Sequence, residues 1–222
     1  MRAAARTAVL ALAGLLGGCA SVGPPPPDPW PALREARPAS VLVLPPVNNT
    51  PDVEAPASVM AQAVVPLAES GYYVLPVALV NETLRSNGVQ AAQDAHLIGP
   101  QRLRDVFGAD AALYLEVRAY GSVYRVVSSD AVVTVDGRLV DLRDGRTLWS
   151  GSATASSAEQ RGGQQGGLVG LLLQAVIEQV ASNFNERNHQ VAGVAMRRLL
   201  GSGSPRGLLP GPRAPPAAPP RR

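Results

Sequence analysis

Residues 131–155, AVVTVDGRLVDLRDGRTLWSGSATA, decide how this chain folds. Ala131 to Leu142 is rich in valine and leucine, and apolar residues alternate with polar ones along much of it, the signature of a half-buried strand. Arg143-Asp144-Gly145-Arg146 then makes a tight turn, because Asp-Gly supplies the positive φ that a hairpin needs. Thr147 to Ala155 is the returning strand. Gly137, inside the first run, predicts a bulge. One step upstream, Leu113 to Tyr120 alternates cleanly. Leu113, Leu115, Val117 and Ala119 fall on one face, and Tyr114, Glu116, Arg118 and Tyr120 on the other. Three consecutive strands of this kind form an antiparallel meander.

Further towards the amino terminus the pattern changes. Ser40 to Leu44 is a short β-rich run ended by Pro45-Pro46, which predicts a buried first strand. Pro56 can open a helix running to about Ser70, with Gly71 as its stop and Pro66 as a kink or an early break. Tyr72 to Pro76 predicts a second strand, Val77 to Asn87 a helix closed by Gly88, and Pro100 to Phe107 a third, short helix. Short connections in this half favour parallel pairing. After the meander, a Gly/Gln loop at Gly162–Gly167 leads into a helical pattern from Leu168 to about Leu200, breaking near Asn185 to Asn188. The predicted class is therefore α/β (α+β): a mixed β-sheet of about five strands, with two β-α units, a meander and packed helices. No internal repeat is present.

Both ends lie outside this pattern. Arg2 and Arg6 precede ten uncharged residues, Thr7 to Leu16, and then Gly17-Gly18-Cys19, the layout of a secretory signal. The run is too short for a bilayer span, which takes roughly 20 residues. Leu16-Gly17-Gly18-Cys19 resembles a bacterial lipobox, which implies cleavage between Gly18 and Cys19 and acylation of the Cys19 sulfur by diacylglycerol. Ala20, a residue other than aspartate, points by lipoprotein sorting rules to the outer membrane. The competing account is an ordinary signal peptide with an incidental cysteine. Ala20 to Arg37 holds Pro24–Pro27, Pro29 and Pro31 and predicts a stiff tether. Gly201 to Arg222, with seven prolines and four arginines, predicts disorder. The division expected is a signal peptide over 1–18, a lipidated tether over 19–37, one domain over 38–200 and a Pro/Arg-rich tail over 201–222.

Composition removes several functions. Cys19 is the only cysteine, so no internal disulfide forms and no thiol remains as a nucleophile. Hydrophobic residues are 46% of the chain and aromatics 4%, so the core is aliphatic. Between Pro38 and Leu200 there are 12 arginines against 15 acidic residues, about −3, which is no nucleic-acid reader's folded face. None of the 20 basic residues is lysine, which excludes a Schiff base on a lysine amine. The histidines, His96 in a polar loop and His189 between helices, have no carboxylate or cysteine at a metal-ligand spacing, so they read as surface or satisfied residues and no metal or cofactor is expected. Ser152 and Ser157 lack a G-x-S-x-G elbow. Gly162 and Gly167 have the outer spacing of a P-loop, but Leu168-Val169 stand where Lys and Ser/Thr would meet phosphate and metal. Asp136, Asp141 and Asp144 bracket turns, where carboxylates bond local backbone. A carboxylate-based glycan hydrolase using Asp141 or Glu116 has no spacing to recommend it.

Two features suit recognition. The loop Pro45, Pro46, Val47, Asn48 and Asn49 sits at the carboxyl end of the first strand, where open α/β sheets tend to bind ligands. The plainer account is that its prolines end the strand and its asparagines cap the next element. Leu168 to Ile177 carries apolar residues all around a helix, which suits core burial or a homodimer interface through Leu168, Leu171, Leu172, Val176 and Ile177.

The stretches Pro45-Pro46-Val47-Asn48, Pro66-Leu67-Ala68-Glu69-Ser70-Gly71-Tyr72-Tyr73-Val74-Leu75-Pro76-Val77, Asn87-Gly88 and Phe107-Gly108-Ala109-Asp110-Ala111 carry a resemblance, continued by Leu139-Val140-Asp141-Leu142, Gly145 and Leu148-Trp149. Together they cover most of Val41 to Ser150. The chain is identified as a member of the outer-membrane lipoproteins of unknown function typified by a meningococcal surface-antigen candidate. Its hairpin is also similar to one in curli-secretion-type lipoproteins. The resemblance implies a fold like the amino-terminal domain of the TolB translocation protein, companionship with other envelope lipoproteins, and no catalytic residue. The expected function is a non-catalytic, lipid-anchored periplasmic module of an envelope assembly, transport or secretion system, binding other envelope proteins and a second copy of itself. The alternative is a pore or secretion-channel component, which requires lipid-facing strands that Ser150 to Gly167 does not provide.

Overall fold

The structure, a computed structural model, describes residues 30–124, 129–162 and 184–215. Its elements are α1 (Pro31–Ala36), β1 (Ser40–Val43), β2 (Val47–Asn48), α2 (Ala55–Glu69), β3 (Tyr73–Val74), α3 (Val77–Ser86), α4 (Ala92–Leu97), α5 (Pro100–Phe107), β4 (Ala111–Tyr124), β5 (Ser129–Asp141), β6 (Thr147–Ser156), α6 (Ser157–Gly162) and α7 (Phe184–Leu200). The fold is the mixed α/β class that the sequence predicts. Its sheet has six strands, ordered β3-β1-β4-β5-β6, with β2 pairing a later stretch of β4. β1 runs parallel to β3 and β4, and β4, β5 and β6 form the antiparallel meander.

β1 is central, and its sequence says why. Val41, Leu42, Val43 and Leu44 are all fully buried, so both faces are covered, as parallel strands require. Val41 and Val43 join Leu113, Leu115 and Val117 of β4 beneath α2 and α7. Leu42 and Leu44 face the other way, onto Val80 and Leu84 of α3, Ala95 of α4 and Leu103 of α5. α2 begins with Pro56 in its first turn and continues through Pro66 to Glu69. It ends in a Schellman motif: the Gly71 amide donates to Ala68 O at 2.9 Å and the Tyr72 amide to Leu67 O at 3.1 Å, with Gly71 at φ +88°. Gly88 closes α3 by the same pair of bonds, to Arg85 O and Leu84 O.

Several expectations need correction. Gly137 makes no bulge; it pairs in register with Leu115 on one side and Gly151 on the other. The irregularity in β4 falls between Val117 and Ala119, leaving Arg118 as the extra residue. Beyond it the faces exchange, so Tyr120 packs against the core instead of continuing the polar face. Residues 89–98, unassigned from sequence, contain α4, and α7 runs unbroken through Asn185 to Asn188. The folded part also begins earlier and ends later than 38–200. Leu33 of α1 is buried, and so is Leu208, inside the segment read as disordered tail. Gly201–Ala214 lies across the sheet-and-helix layer as a strap. Its carbonyls at Arg206, Gly207 and Leu209 accept from Trp149 Nε1 (3.1 Å), Trp30 Nε1 (2.8 Å) and Tyr72 Oη (2.7 Å).

Candidate functional site

The loop at the carboxyl end of β1 is built by its prolines. Pro45 and Pro46 offer no N–H to continue pairing, so the chain leaves β1 and rejoins β4 three residues further along, Val47 opposite Glu116. Asn48 is spent on local structure: its Oδ1 accepts from Thr50 N (3.0 Å) and Thr50 Oγ1 (2.8 Å), and its Nδ2 donates to Asp52 O (2.8 Å). Asn49 reaches outward instead, Nδ2 donating to Glu116 Oε1 at 2.5 Å. A cleft of about 340 Å³ opens between this loop and α2, α3 and α4, lined by Pro45, Pro46, Met60, Leu84 and Arg85 among others. Val53, which lines it, is 87% exposed, and Leu97, at the end of α4, is 82% exposed.

Beside this cleft lies a second concavity of about 290 Å³, on the part of β4 and β5 that no helix among the described residues packs over, with α4 at its edge. The His96 imidazole, on α4, donates from Nε2 to Pro45 O at 3.0 Å and meets the Tyr114 ring edge-on, 5.1 Å between centroids. The Arg138 guanidinium lies over that same ring at 4.6 Å. One register step on, Arg118 bridges Glu116 (2.7 Å) and Asp136 (2.8 Å). Burial lowers the His96 pKa below its ordinary value and raises that of the Tyr114 phenol. A hydrogen bond from Ser152, then one from Arg118, hold Asp136 below the usual carboxylate range. Asp136 is therefore held ionised, and Glu116 is engaged by Arg118 and Asn49, which suits recognition of polar and planar groups better than proton transfer.

The remaining sequence candidates fall elsewhere. Asp141 is a buried structural acid: it accepts from Arg143 N (2.8 Å) and Arg143 Nε (2.9 Å), and Arg143 Nη2 also donates to Ala36 O, tying the hairpin to α1. Ser157 Oγ accepts from Ala131 N at 3.0 Å. His189 lies on α7, not between helices, with Nδ1 2.8 Å from Ser58 Oγ and Nε2 2.7 Å from Gln62 Nε2. The imidazole so held clasps α2 to α7. Among the described residues no cluster of His, Cys, Asp or Glu suits a metal ion. Cys19, the Gly18–Cys19 junction, Gly163–Gly167 and the apolar stretch Leu168–Ile177 lie outside the described residues.

A family model, "Putative lipoprotein GNA1162-like", matches residues 29–213, from the start of α1 to the end of the strap. The chain belongs to the GNA1162-like lipoprotein family. A relative from Neisseria meningitidis serogroup B, "Putative lipoprotein NMB1124/NMB1162", is 42% identical over 206 residues, covering 92% of this chain and 95% of the relative. The crystal structure of lipoprotein GNA1162 from Neisseria meningitidis superposes with a TM-score of 0.52 at 43% identity, covering 66% of this chain and all of that one. Membership of a lipoprotein family implies a membrane-anchored envelope protein. No helix among the described residues is long and apolar enough to cross a membrane.

His96, read from the sequence as a surface or satisfied residue of a polar loop, lies instead on α4, with its Nε2 bonded to Pro45 O. Its signal was indirect: alternation alone puts Tyr114, Glu116 and Arg118 on one face of β4, and Asp136 and Arg138 on one face of β5. What no spacing gave was α4, which brings His96 onto that face.

Proposed function

We propose that this chain is a non-catalytic, lipid-anchored accessory lipoprotein of an envelope assembly, transport or secretion system, acylated on Cys19 at the outer membrane, with its domain in the periplasm. The observation that carries this reading is Leu16-Gly17-Gly18-Cys19 after ten uncharged residues, in a chain whose family is a lipoprotein family. Partner proteins dock on the face of β4 and β5 that no described helix packs over and on the neighbouring Pro45–Asn49 cleft, where aromatic, cationic and exposed apolar groups are adjacent. Tethering raises the local concentration of partners on the same membrane, so individually weak contacts suffice. Self-association through Leu168, Leu171, Leu172, Val176 and Ile177 belongs to the same reading, and light scattering on concentrated protein tests it.

The two rival activities draw no support from the geometry. The apolar faces of β4 and β5 are covered by α2 and α7, so they are not offered to lipid. The candidate hydrolase acids are engaged, Glu116 by Arg118 and Asn49 and Asp141 by Arg143. Metabolic labelling with a palmitate analogue tests the anchor: label should enter the wild-type chain and be lost in Cys19→Ser. An unlabelled wild-type chain with its leader intact sinks the reading. A photo-crosslinker at Leu97 should capture envelope proteins in intact cells.

A further inference from the structure

The two parallel connections of the sheet leave on opposite sides. From β1 the chain runs through α2, which packs on the face of Val41 and Val43, and returns as β3. From β3 it runs through α3, α4 and α5, which pack on the face of Leu42 and Leu44, and returns as β4 on the far side of β1. Adjacent strands whose outgoing helices part in this way leave a crevice beyond their carboxyl ends, where open α/β sheets hold ligands. The cleft of about 340 Å³ is that crevice. Its walls come from the loop after β1, from α2, and from α3 and the start of α4.

Its chemistry is uneven. The floor is apolar and closed, with Met60 and Leu84 only 4% and 5% exposed. Pro45, Pro46 and Pro56 stiffen the rim, so little order is lost when something binds. Among the described residues Arg85 is the one charged group in the lining. No described acid pairs with its guanidinium: Glu82 on α3 and Asp94 on α4 lie outside the cleft and make no ion pair with it. Asn81, one helical turn before Arg85, lines the same cleft, and its Nδ2 meets the Met60 sulfur, a weak acceptor, at 3.6 Å. A guanidinium fork without an acid is made to donate two parallel hydrogen bonds to a carboxylate. The apolar floor beside it suits an apolar group attached close to that carboxylate. The volume lies at the small end of ligand pockets, roughly 300–1,000 Å³, which suits the end of a chain and not a long run of it. A carboxylate with an apolar side chain beside it is what a peptide presents at its carboxyl end.

We propose that this cleft binds the free carboxyl end of a peptide whose last residue is apolar, with Arg85 holding the carboxylate and Met60 and Leu84 receiving the side chain. The inference names the chemistry of a docking partner, and it rests on the proposed function only for that partner being a protein.

The test uses the full chain carrying Cys19→Ser, with isotope-labelled methionine methyl groups followed by NMR. The three methionines divide the work: Met60 reports on the cleft, Met196 on the buried face of α7 and Met1 on the leader. The probes are acetyl-alanyl-alanyl-leucine with a free carboxyl group, the same peptide ending in a carboxamide, and hexanoate. The free acid should shift Met60 in a saturable way and leave Met196 in place. The carboxamide should bind at least about tenfold more weakly, the loss expected when a charged hydrogen-bond partner is removed. Arg85→Gln should weaken the acid to the same degree. Arg102→Gln, which changes an exposed arginine of α5 outside the cleft, should bind as the parent does, and circular dichroism of both variants checks that the fold survives. A Met60 signal that ignores millimolar acid, a carboxamide that binds equally, or an Arg85→Gln chain of unchanged affinity overturns the proposal. Hexanoate that binds as tightly as the peptide overturns the assignment to a peptide end. Crosslinking from Leu97 reads docking itself, so its failure is separate from this one.

Discussion

Two glycines of the meander make room for one indole. A Cβ on Gly151 would lie 2.6 Å from Trp149 Cζ2, and one on Gly137 would lie 3.2 Å from Trp149 Cζ3 and from Leu199 Cδ2. The ring cannot slide away, since it is buried and its Nε1 is bonded to Arg206 O. Gly151→Ala should therefore cost about 1–3 kcal/mol in urea unfolding, with Gly137→Ala costing less. Gly137 was visible in the sequence as an anomaly in a strand, but a glycine signals either a bulge or a close approach. Only the partner ring, ten and more residues away, decides between them. His96 gives a second prediction. Burial and, secondarily, Arg138 hold its pKa below 6.5, against the opposing pull of the Pro45 carbonyl and Glu116. The native state then binds this proton less readily than the unfolded chain. Stability is complete above about pH 6.5 and falls as pH drops towards the depressed native value. His96→Gln, which keeps a donor for Pro45 O, should show a flatter decline in urea midpoint between about pH 6.5 and pH 5. A wild-type profile no steeper than that of the variant would remove the argument.

Among whole elements, those with a local signature were legible. The Asp-Gly turn, the Schellman glycines and the alternation in β4 are read within one or two turns of chain, and the first two stand in the structure while the third holds as far as the bulge after Val117. What failed was composition read in place of contact. Seven prolines and four arginines in Gly201–Arg222 argue for disorder, yet Leu208 is 1% exposed and three aromatic side chains grip the strap's carbonyls. Pro210 and Pro212 fit because the bonds this segment makes come largely from its own carbonyls and from Gly211 and Arg213 amides, which prolines do not supply. Leu208→Ala should cost about 2–5 kcal/mol, the range for emptying a buried leucine site. Urea unfolding of the full chain measures it, and a loss under about 0.5 kcal/mol, the scale of an ordinary surface substitution, would mean that the strap is not part of the folded unit. The same contacts give Tyr72 its raised pKa, about 12 against an ordinary 10, through burial of the phenol. The native state holds that proton more tightly than the unfolded chain, so this contribution is complete below about pH 10 and is lost as pH rises towards 12.

Taken whole, the molecule spends its helices unevenly on its sheet. Among the described residues, α2 and α7 cover one side, while α3, α4 and α5 cover only the half of the other side under β1 and the start of β4. The uncovered half carries Glu116, Arg118, Asp136 and Arg138, a set whose alternation was legible but whose neighbours were not. Stability is a poor explanation for this set. Arg118 is about half exposed, and ion pairs of that kind contribute little to stability. The Arg138–Tyr114 contact at an exposed position is worth about 0.5–1 kcal/mol. If the face exists for docking, fold and capture must separate on mutation. Arg138→Glu should keep its urea midpoint within what a loss of about 1 kcal/mol allows. In cells it should lose most of the crosslinks formed from a probe at Leu97, on the adjoining helix. A variant that captures partners as well as the wild type moves the docking surface elsewhere, and one that unfolds assigns Arg138 to the architecture instead.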